Sequence, residues 1–239
     1  MIEKALKYIV GLKAPDIQEI DGQTYSDKPL HRINFNPMAE PINLNTLSSL
    51  VDYIKSGYDK YDNLKLFVHI VSPTEVKLYS ALDYDRKREH LVNVTAQVPS
   101  FTFNEYVSHE VFCINLQAKF EDSIDRKILL KFAGTVEAGT VAQYGDDGVT
   151  QKATIKHGIT DKQDALVPNP VNLTAYRTFI EVEQPETQYI FRMKQGSNSS
   201  VYCGLFEADG GAWKIEAKRA IREYLTEYLK DIPDLIILS

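Results

Sequence analysis

The residues of this chain with the chemistry to bind a metal or move a proton are five histidines, two cysteines and a few carboxylate pairs. His31, His69, His90, His109 and His157 are scattered, and none sits in an HExxH or HxH spacing. A metal site would have to gather ligands from distant segments. His109 and Glu110 are adjacent, so they do not share a helix face. Cys113 and Cys203 lie far apart and outside any CxxC or Cys/His metal spacing; they read as small buried hydrophobes. Asp146 with Asp147, Glu181 with Glu183, and Glu207 with Asp209 are paired carboxylates. Such pairs supply one acid and one base to a hydrolase, and three carboxylates hold a divalent ion. Plainer roles outweigh that chemistry. Asp146-Asp147-Gly148 is what a tight turn requires, and Asp209 precedes a helix where a cap belongs. The chain holds no Ser-His-Asp arrangement, no Gly-x-Ser-x-Gly elbow and no phosphate-binding P-loop. These residues assign no catalytic group, no metal and no cofactor.

Basic residues form two clusters. Arg86, Lys87, Arg88 and His90 crowd one hairpin loop; Lys214, Lys218, Arg219 and Arg222 follow helical spacing, with Tyr84, Tyr224 and Tyr228 nearby. Charge with interleaved aromatics suits single-stranded nucleic acid or a nucleotide. A solvated helix face and a charged turn explain the same residues. Arg177 and Arg192 stand in aromatic β-rich sequence. A buried arginine requires a partner, and Glu181 or Glu183 is the expected partner of Arg177. Arginine also suits phosphate recognition. The candidate ligand-binding residues are therefore Arg177, Arg192, Arg86, Arg88, Lys218 and Arg222.

The elements that must position these groups follow from composition and pattern. The chain has 239 residues, 44% hydrophobic and 25% charged, enough for one large domain with a real core. A net charge of -6 argues against a surface that grips phosphate backbones throughout. No stretch has the length of a membrane span, and residues 1–11 lack a signal-peptide core, so a cytoplasmic protein with no membrane partner is expected.

Periodicity predicts an amphipathic helix over Met1 to Val10 and an extended arm over Gly11 to Pro41, a length of irregular chain that often reaches a neighbouring subunit. Asn45 to Gly57 reads as a helix, capped by Asn45 and ended by Gly57. Leu64–Val71, Glu75–Leu82 and Leu91–Val98 read as a three-stranded antiparallel meander. Phe101–Phe120 fits both periods; a helix buried on two sides, through Val107, Val111, Ile114 and Ala118, is favoured. Asp125–Val136 reads as a helix capped by Ser123 or Asp125. Gly145–Gly148 is a turn, and alternation resumes from Val149 to Lys156. Phe179–Glu183, Tyr189–Lys194 and Val201–Phe206 are strand candidates, with a hairpin loop at Gly196–Ser200. Asp209-Gly210-Gly211 leads into a helix with the stripe Ala217, Ile221, Tyr224, Leu225 and Tyr228, stopped by Pro233, and Leu235–Leu238 reads as a short buried strand. The expected fold is α+β: an antiparallel β-meander plus a second, mainly antiparallel β region, with several packed helices. The expected organisation is an arm over 1–41 and a single domain over 42–239.

Five stretches carry a likeness. They are Asp146 to Gln151, Val167 to Leu173, Tyr176 to Pro185, Tyr189 to Arg192, and Leu205 to Lys214, the last containing Asp209-Gly210-Gly211-Ala212-Trp213. Together they resemble the YfdQ-like family carried by bacteriophages and prophages. The likeness covers mainly the second half of the chain; the first half joins it only through the helix near Leu50 and Pro99-Ser100-Phe101. It implies a phage-associated protein in the cytoplasm of a bacterial host and brings no catalytic residues. With the missing catalytic motif and the arm, it leads to the expectation of a non-enzymatic accessory protein acting as a homo-oligomer, up to a large or shell-like assembly. A nucleic-acid or nucleotide-binding module in recombination or anti-defence comes second. A hydrolase using Asp146, Asp147, Glu181 and Asp209 comes last.

Overall fold

The computed structural model describes residues 2–11, 15–29, 38–59, 65–83, 86–135, 141–146, 151–157, 161–166, 169–196 and 200–239. It divides into two units, Met1–Met38 and Ala39–Ser239. The first holds helix α1 (Ile2–Gly11) and strands β1 (Ile17–Ile20) and β2 (Gln23–Ser26). The two strands form an antiparallel hairpin closed by Asp21 and Gly22, both at positive φ (52° and 74°). Asp-Gly is the residue pair such a turn demands. The segment expected to be an extended arm therefore contains a hairpin, which Ile17-Gln18-Glu19-Ile20 conceals because it does not alternate.

The second unit runs β3 (Ile42–Leu44), α2 (Leu47–Ser56), β4 (Leu66–Ser72), β5 (Glu75–Ser80), β6 (His90–Thr95), β7 (Val107–Ser108), α3 (His109–Ala118) and α4 (Ile124–Thr135). It continues through β8 (Val141–Asp146), β9 (Gln151–His157), β10 (Asp161–Leu166), β11 (Val171–Thr174), β12 (Glu186–Gln195), β13 (Val201–Glu207), α5 (Ala212–Leu229) and β14 (Leu235–Leu238). This is the expected α+β class. The meander β4-β5-β6 is antiparallel, and β14 and β3 add to its two edges in parallel, giving the order β14-β4-β5-β6-β3. Helices α2 and α5 cover it. Leu47, Leu50, Val51 and Ile54 of α2 meet Ile221, Leu225 and Leu229 of α5 over Val68, Ile70, Val76, Leu78, Val92 and Val94. Thr46, not Asn45, caps α2: its hydroxyl accepts from Ser49 N at 3.2 Å. Gly57 ends the helix in the left-handed conformation, at φ 60°. β14 is an edge strand with Ile236 and Leu238 exposed rather than a buried one.

The second core lies under α3 and α4, on the antiparallel sheet β11-β12-β13-β7. It is aromatic: Phe101 and Phe103 pack around Phe120 and Tyr189, and Phe112 and Phe132 around Phe191. The ambiguous stretch splits. Residues 101–106 are irregular, and only His109–Ala118 is helical. The helix buries one stripe, Phe112 and Leu116, while Val111 and Ile114 are 46% and 57% exposed, so the two-sided burial expected of Val107, Val111, Ile114 and Ala118 is corrected. Phe112 takes the sheet-facing position, its ring 5.6 Å from that of Phe191. Ser123 caps α4 by accepting from Arg126 N at 3.1 Å; Asp125 instead accepts from Asn172 N at 2.8 Å. β12 and β13 stand where strands were expected. Residues 179–184 do not: they form a turn that leaves Ile180 82% exposed. β8, β9 and β10 make a three-stranded antiparallel sheet; β9 is a strand within the stretch predicted to be one, and β10 falls where no strand is predicted. Asp147, Gly148, Tyr84, His31 and 197–199 lie outside the described residues.

Gly204 in β13 is one position where no side chain fits. A Cβ there would lie 2.7 Å from Glu105 O, a backbone atom that cannot swing away. Gly204→Ala is expected to cost about 2 kcal/mol, read as a lower urea midpoint at unchanged slope.

Candidate functional site

The two cores of the second unit are joined by residues 175–184. Ala175 bridges to Phe120, and Tyr176 N donates to Lys119 O at 3.0 Å, both on the α3–α4 side. Two residues later, Thr178 Oγ1 donates to Pro73 O at 2.5 Å in the β4–β5 turn, and Phe179 is buried in the core beneath α2 and α5. A chain that crosses the interior without sheet or helix must still satisfy its backbone. Gln184, itself buried, does this. Its Oε1 accepts from Arg177 N (3.0 Å) and Thr178 N (3.2 Å), and its Nε2 donates to Phe179 O (2.9 Å) and Val182 O (3.2 Å). Every hydrogen-bonding position of one amide is used.

The crossing places Arg177 at 7% exposure. Its Nη1 pairs with Glu207 Oε1 at 2.6 Å and its Nη2 donates to Thr187 Oγ1 at 2.6 Å. Its guanidinium lies 3.8 Å from the ring centre of Trp213, 5.1 Å from that of Phe103 and 5.6 Å from that of Tyr189. Glu207, not Glu181 or Glu183, is thus the partner. The reason is the turn at 179–184, which removes the strand face those two were to share. Glu181 instead accepts from Ser48 N at 3.1 Å and Ser48 Oγ at 3.3 Å, in the first turn of α2, where a carboxylate is favoured.

Arg177 and Trp213 form part of the wall of an open cleft of about 340 Å³. Lys119 and Lys214 stand on it with Arg177, against the single carboxylate Glu207, a local positive balance in an acidic chain. Phe101, Phe103 and Tyr176 supply flat apolar surface. The Lys119 ammonium donates to Ser100 O, and the Lys214 ammonium sits 5.8 Å from the Trp213 ring centre. Two buried donors in this cluster hold no hydrogen bond: Arg177 Nε and Trp213 Nε1. Burial keeps the Tyr189 phenol protonated well above its usual range, against a smaller opposing pull from Arg177. The cluster has donors in surplus.

The other candidates do not converge on it. Arg192 is half-buried on β12, opposite Gly204, with Nη1 donating to Phe191 O at 3.2 Å. Arg86 is exposed at positive φ, closing the turn through Asp83 O. Arg88 stacks 4.7 Å over Phe67 and donates to Ser80 O at 3.2 Å. Lys218 and Arg222 lie on α5, half-buried and exposed respectively, and of the helical cluster only Lys214 lines the cleft. His69 is exposed, His90 stacks on Tyr79, and the His109 ring contacts Ala133 O. Asp209 caps α5, accepting from Gly211 N (2.9 Å) and Trp213 N (3.0 Å). A second cleft of about 270 Å³ near Tyr53 carries Glu40, Asp59 and Glu89. In it the Tyr53 hydroxyl donates to Asp59 Oδ2 at 2.8 Å and Ala39 N donates to Glu89 Oε1 at 2.9 Å. Among the described residues no three His, Cys, Asp or Glu side chains are grouped to hold a metal. Sequence reasoning missed Lys119, Phe103, Trp213, Glu207 as an ion-pair partner, and Gln184. Only Trp213, the single tryptophan, carried a signal, in its place just after the Asp209 cap.

Two outcomes follow for this site. Gln184→Leu leaves the buried Arg177 N and Thr178 N without their acceptor and Phe179 O with only Val182 N, at 3.3 Å, and is expected to cost about 3 kcal/mol or more. Gln184→Glu keeps the acceptor but loses both donors; it regains stability as the pH falls, because only the protonated carboxyl donates to Phe179 O or Val182 O. Urea midpoints across pH check both. Burial also pushes the Cys203 thiol up to about 12, with a smaller push from Cys113. At pH 8 its thiolate fraction is about one in ten thousand, so native protein is expected to leave Cys203 unalkylated by iodoacetamide while unfolded protein reacts.

No protein-family model, no curated protein and no solved structure matches this chain, so what the site does is argued from its own residues.

Proposed function

We propose that this protein is a non-enzymatic accessory subunit that works as a homo-oligomer, assembling through its N-terminal unit. The observation that carries this reading is the apolar face of α1. Ile2, Leu6 and Ile9 are 78%, 56% and 59% exposed. A helix of 10 residues is marginal in water by itself and gains its stability from packing an apolar face. The neighbouring hairpin adds exposed Ile17, Ile20 and Tyr25. Contiguous exposed apolar surface marks an interaction site, and the occupant that requires no second gene product is another copy of the chain. An arm that docks on the next subunit makes a head-to-tail contact, which closes into a ring or extends into a larger shell-like assembly. The resemblance to the YfdQ-like family adds a phage or prophage setting in the bacterial cytoplasm to this proposal.

Light scattering on the full chain at micromolar concentration tests it. The expected result is a mass of several subunits that falls toward one subunit in the double variant Leu6→Asp, Ile9→Asp. Both positions are exposed and outside the cores of residues 39–239, so circular dichroism should lose no more than the signal of the 10 residues of α1. A wild-type monomer would refute the reading.

A further inference from the structure

We propose that the cleft walled by Arg177, Trp213, Lys119 and Lys214 is a binding site for a nucleoside phosphate, with the phosphate on the two lysines and the planar ring against the aromatic wall. The site is independent of the N-terminal unit. Three observations meet there. The first is charge: three cations face one carboxylate, and that carboxylate, Glu207, is already held by Arg177 Nη1 at 2.6 Å and by Asn104 Nδ2 at 3.4 Å. The second is hydrogen-bonding capacity. Arg177 Nε and Trp213 Nε1 are donors only; both are buried without an acceptor, and Arg177 is more than nine-tenths buried. A buried group with no partner is costly, and a ligand rich in acceptor oxygens is the chemistry that would relieve it. The third is shape: about 340 Å³ lies within the range of small-molecule pockets, and Phe101, Tyr176 and Trp213 offer faces on which a ring can stack.

The geometry also says how the ligand engages. The Trp213 indole is half-buried, with the Arg177 guanidinium carbon over its ring at 3.8 Å from the centre. A shift of the indole on ligand entry uncovers its own N–H and the Nε–H of Arg177 together. Lys214 is exposed and free to swing from the indole to a phosphate. Lys119 exchanges the Ser100 carbonyl for a stronger, charged acceptor.

Because Trp213 is the sole tryptophan, indole fluorescence reads this site alone. Full-length protein is titrated with AMP, with adenosine and with inorganic phosphate. AMP is expected to give a saturable change with a Kd on the order of 0.1 mM, weakened about tenfold by Lys214→Ala and by Lys119→Ala, with Lys55→Ala on α2 as the unaffected control. Adenosine and phosphate separately should bind at least tenfold more weakly than AMP. Circular dichroism establishes that each variant is folded, and Lys214, being exposed, gives a folded variant if Lys119→Ala does not. No saturable change with AMP overturns the proposal. So does AMP binding that both lysine variants leave intact, adenosine binding as tightly as AMP, or phosphate alone binding as tightly as AMP.

Discussion

A guanidinium cannot be taken out of water without partners, and the interior of this protein is arranged around that requirement at Arg177. Glu207 neutralises it, Thr187 takes a second hydrogen bond, and three aromatic rings surround it. The residues it ties together come from the crossing segment, from β12 and β13, and from the first turn of α5. That helix packs on the other sheet. The ion pair therefore sits where the two cores meet. An apolar substitute would fill the space, yet it would not orient β13 against the start of α5. Breaking such a pair costs about 3–5 kcal/mol when one charge is left behind. Gln184 completes the joint on the backbone side, using one side chain where a strand would have used a neighbouring strand.

The same joint explains why a cleft exists. The cleft lies beside the crossing, with Ala175, Tyr176 and Arg177 in its wall. Here the groove is lined by the ends of elements rather than by their faces: the approach to β7, the end of α3 and the start of α5. Loop and terminus positions are where binding groups collect on a rigid scaffold. The N-terminal unit has a different logic. Its apolar residues are spaced for packing, and no residue of it with a described exposure is buried. The proposed assembly surface and the proposed ligand site thus draw on separate parts of the chain.

Elements whose signals are local were legible in the sequence. The meander shows clean alternation at Val92, Val94 and Ala96, α2 ends at a glycine, and α5 pairs an Asp-Gly-Gly start with the buried stripe Ala217, Ile221 and Leu225. Where two periods compete, pattern decides less well. In α3 the stripe through Val111 and Ile114 looked as apolar as the one through Phe112 and Leu116, and only the room against the sheet selects the phenylalanine. Phe179-Ile180-Glu181-Val182-Glu183 has strand alternation, but Gln184 offers its amide to the backbone locally and turns it instead. The partner of Arg177 was out of reach for a third reason: Glu207 is 30 residues away, joined to it by β-pairing that a single sequence does not encode. Arg177 itself was singled out correctly as an arginine that must be buried and paired. Arg192 carries the same mid-strand signal, and Arg86, Arg88, Lys218 and Arg222 stand out as charge with aromatics nearby; neither signal says which residues converge.

The central claim is that the Arg177–Gln184 crossing makes the two cores of residues 39–239 one cooperative body. Native-state hydrogen exchange tests it most directly, by comparing the slowest amides of β5 in one sheet with those of β12 in the other as denaturant is raised. The account predicts that both sets open together, with the same free energy and the same denaturant dependence. If one sheet opens at a clearly lower free energy while the other stays protected, the crossing is a tether and not a joint, and the account is wrong.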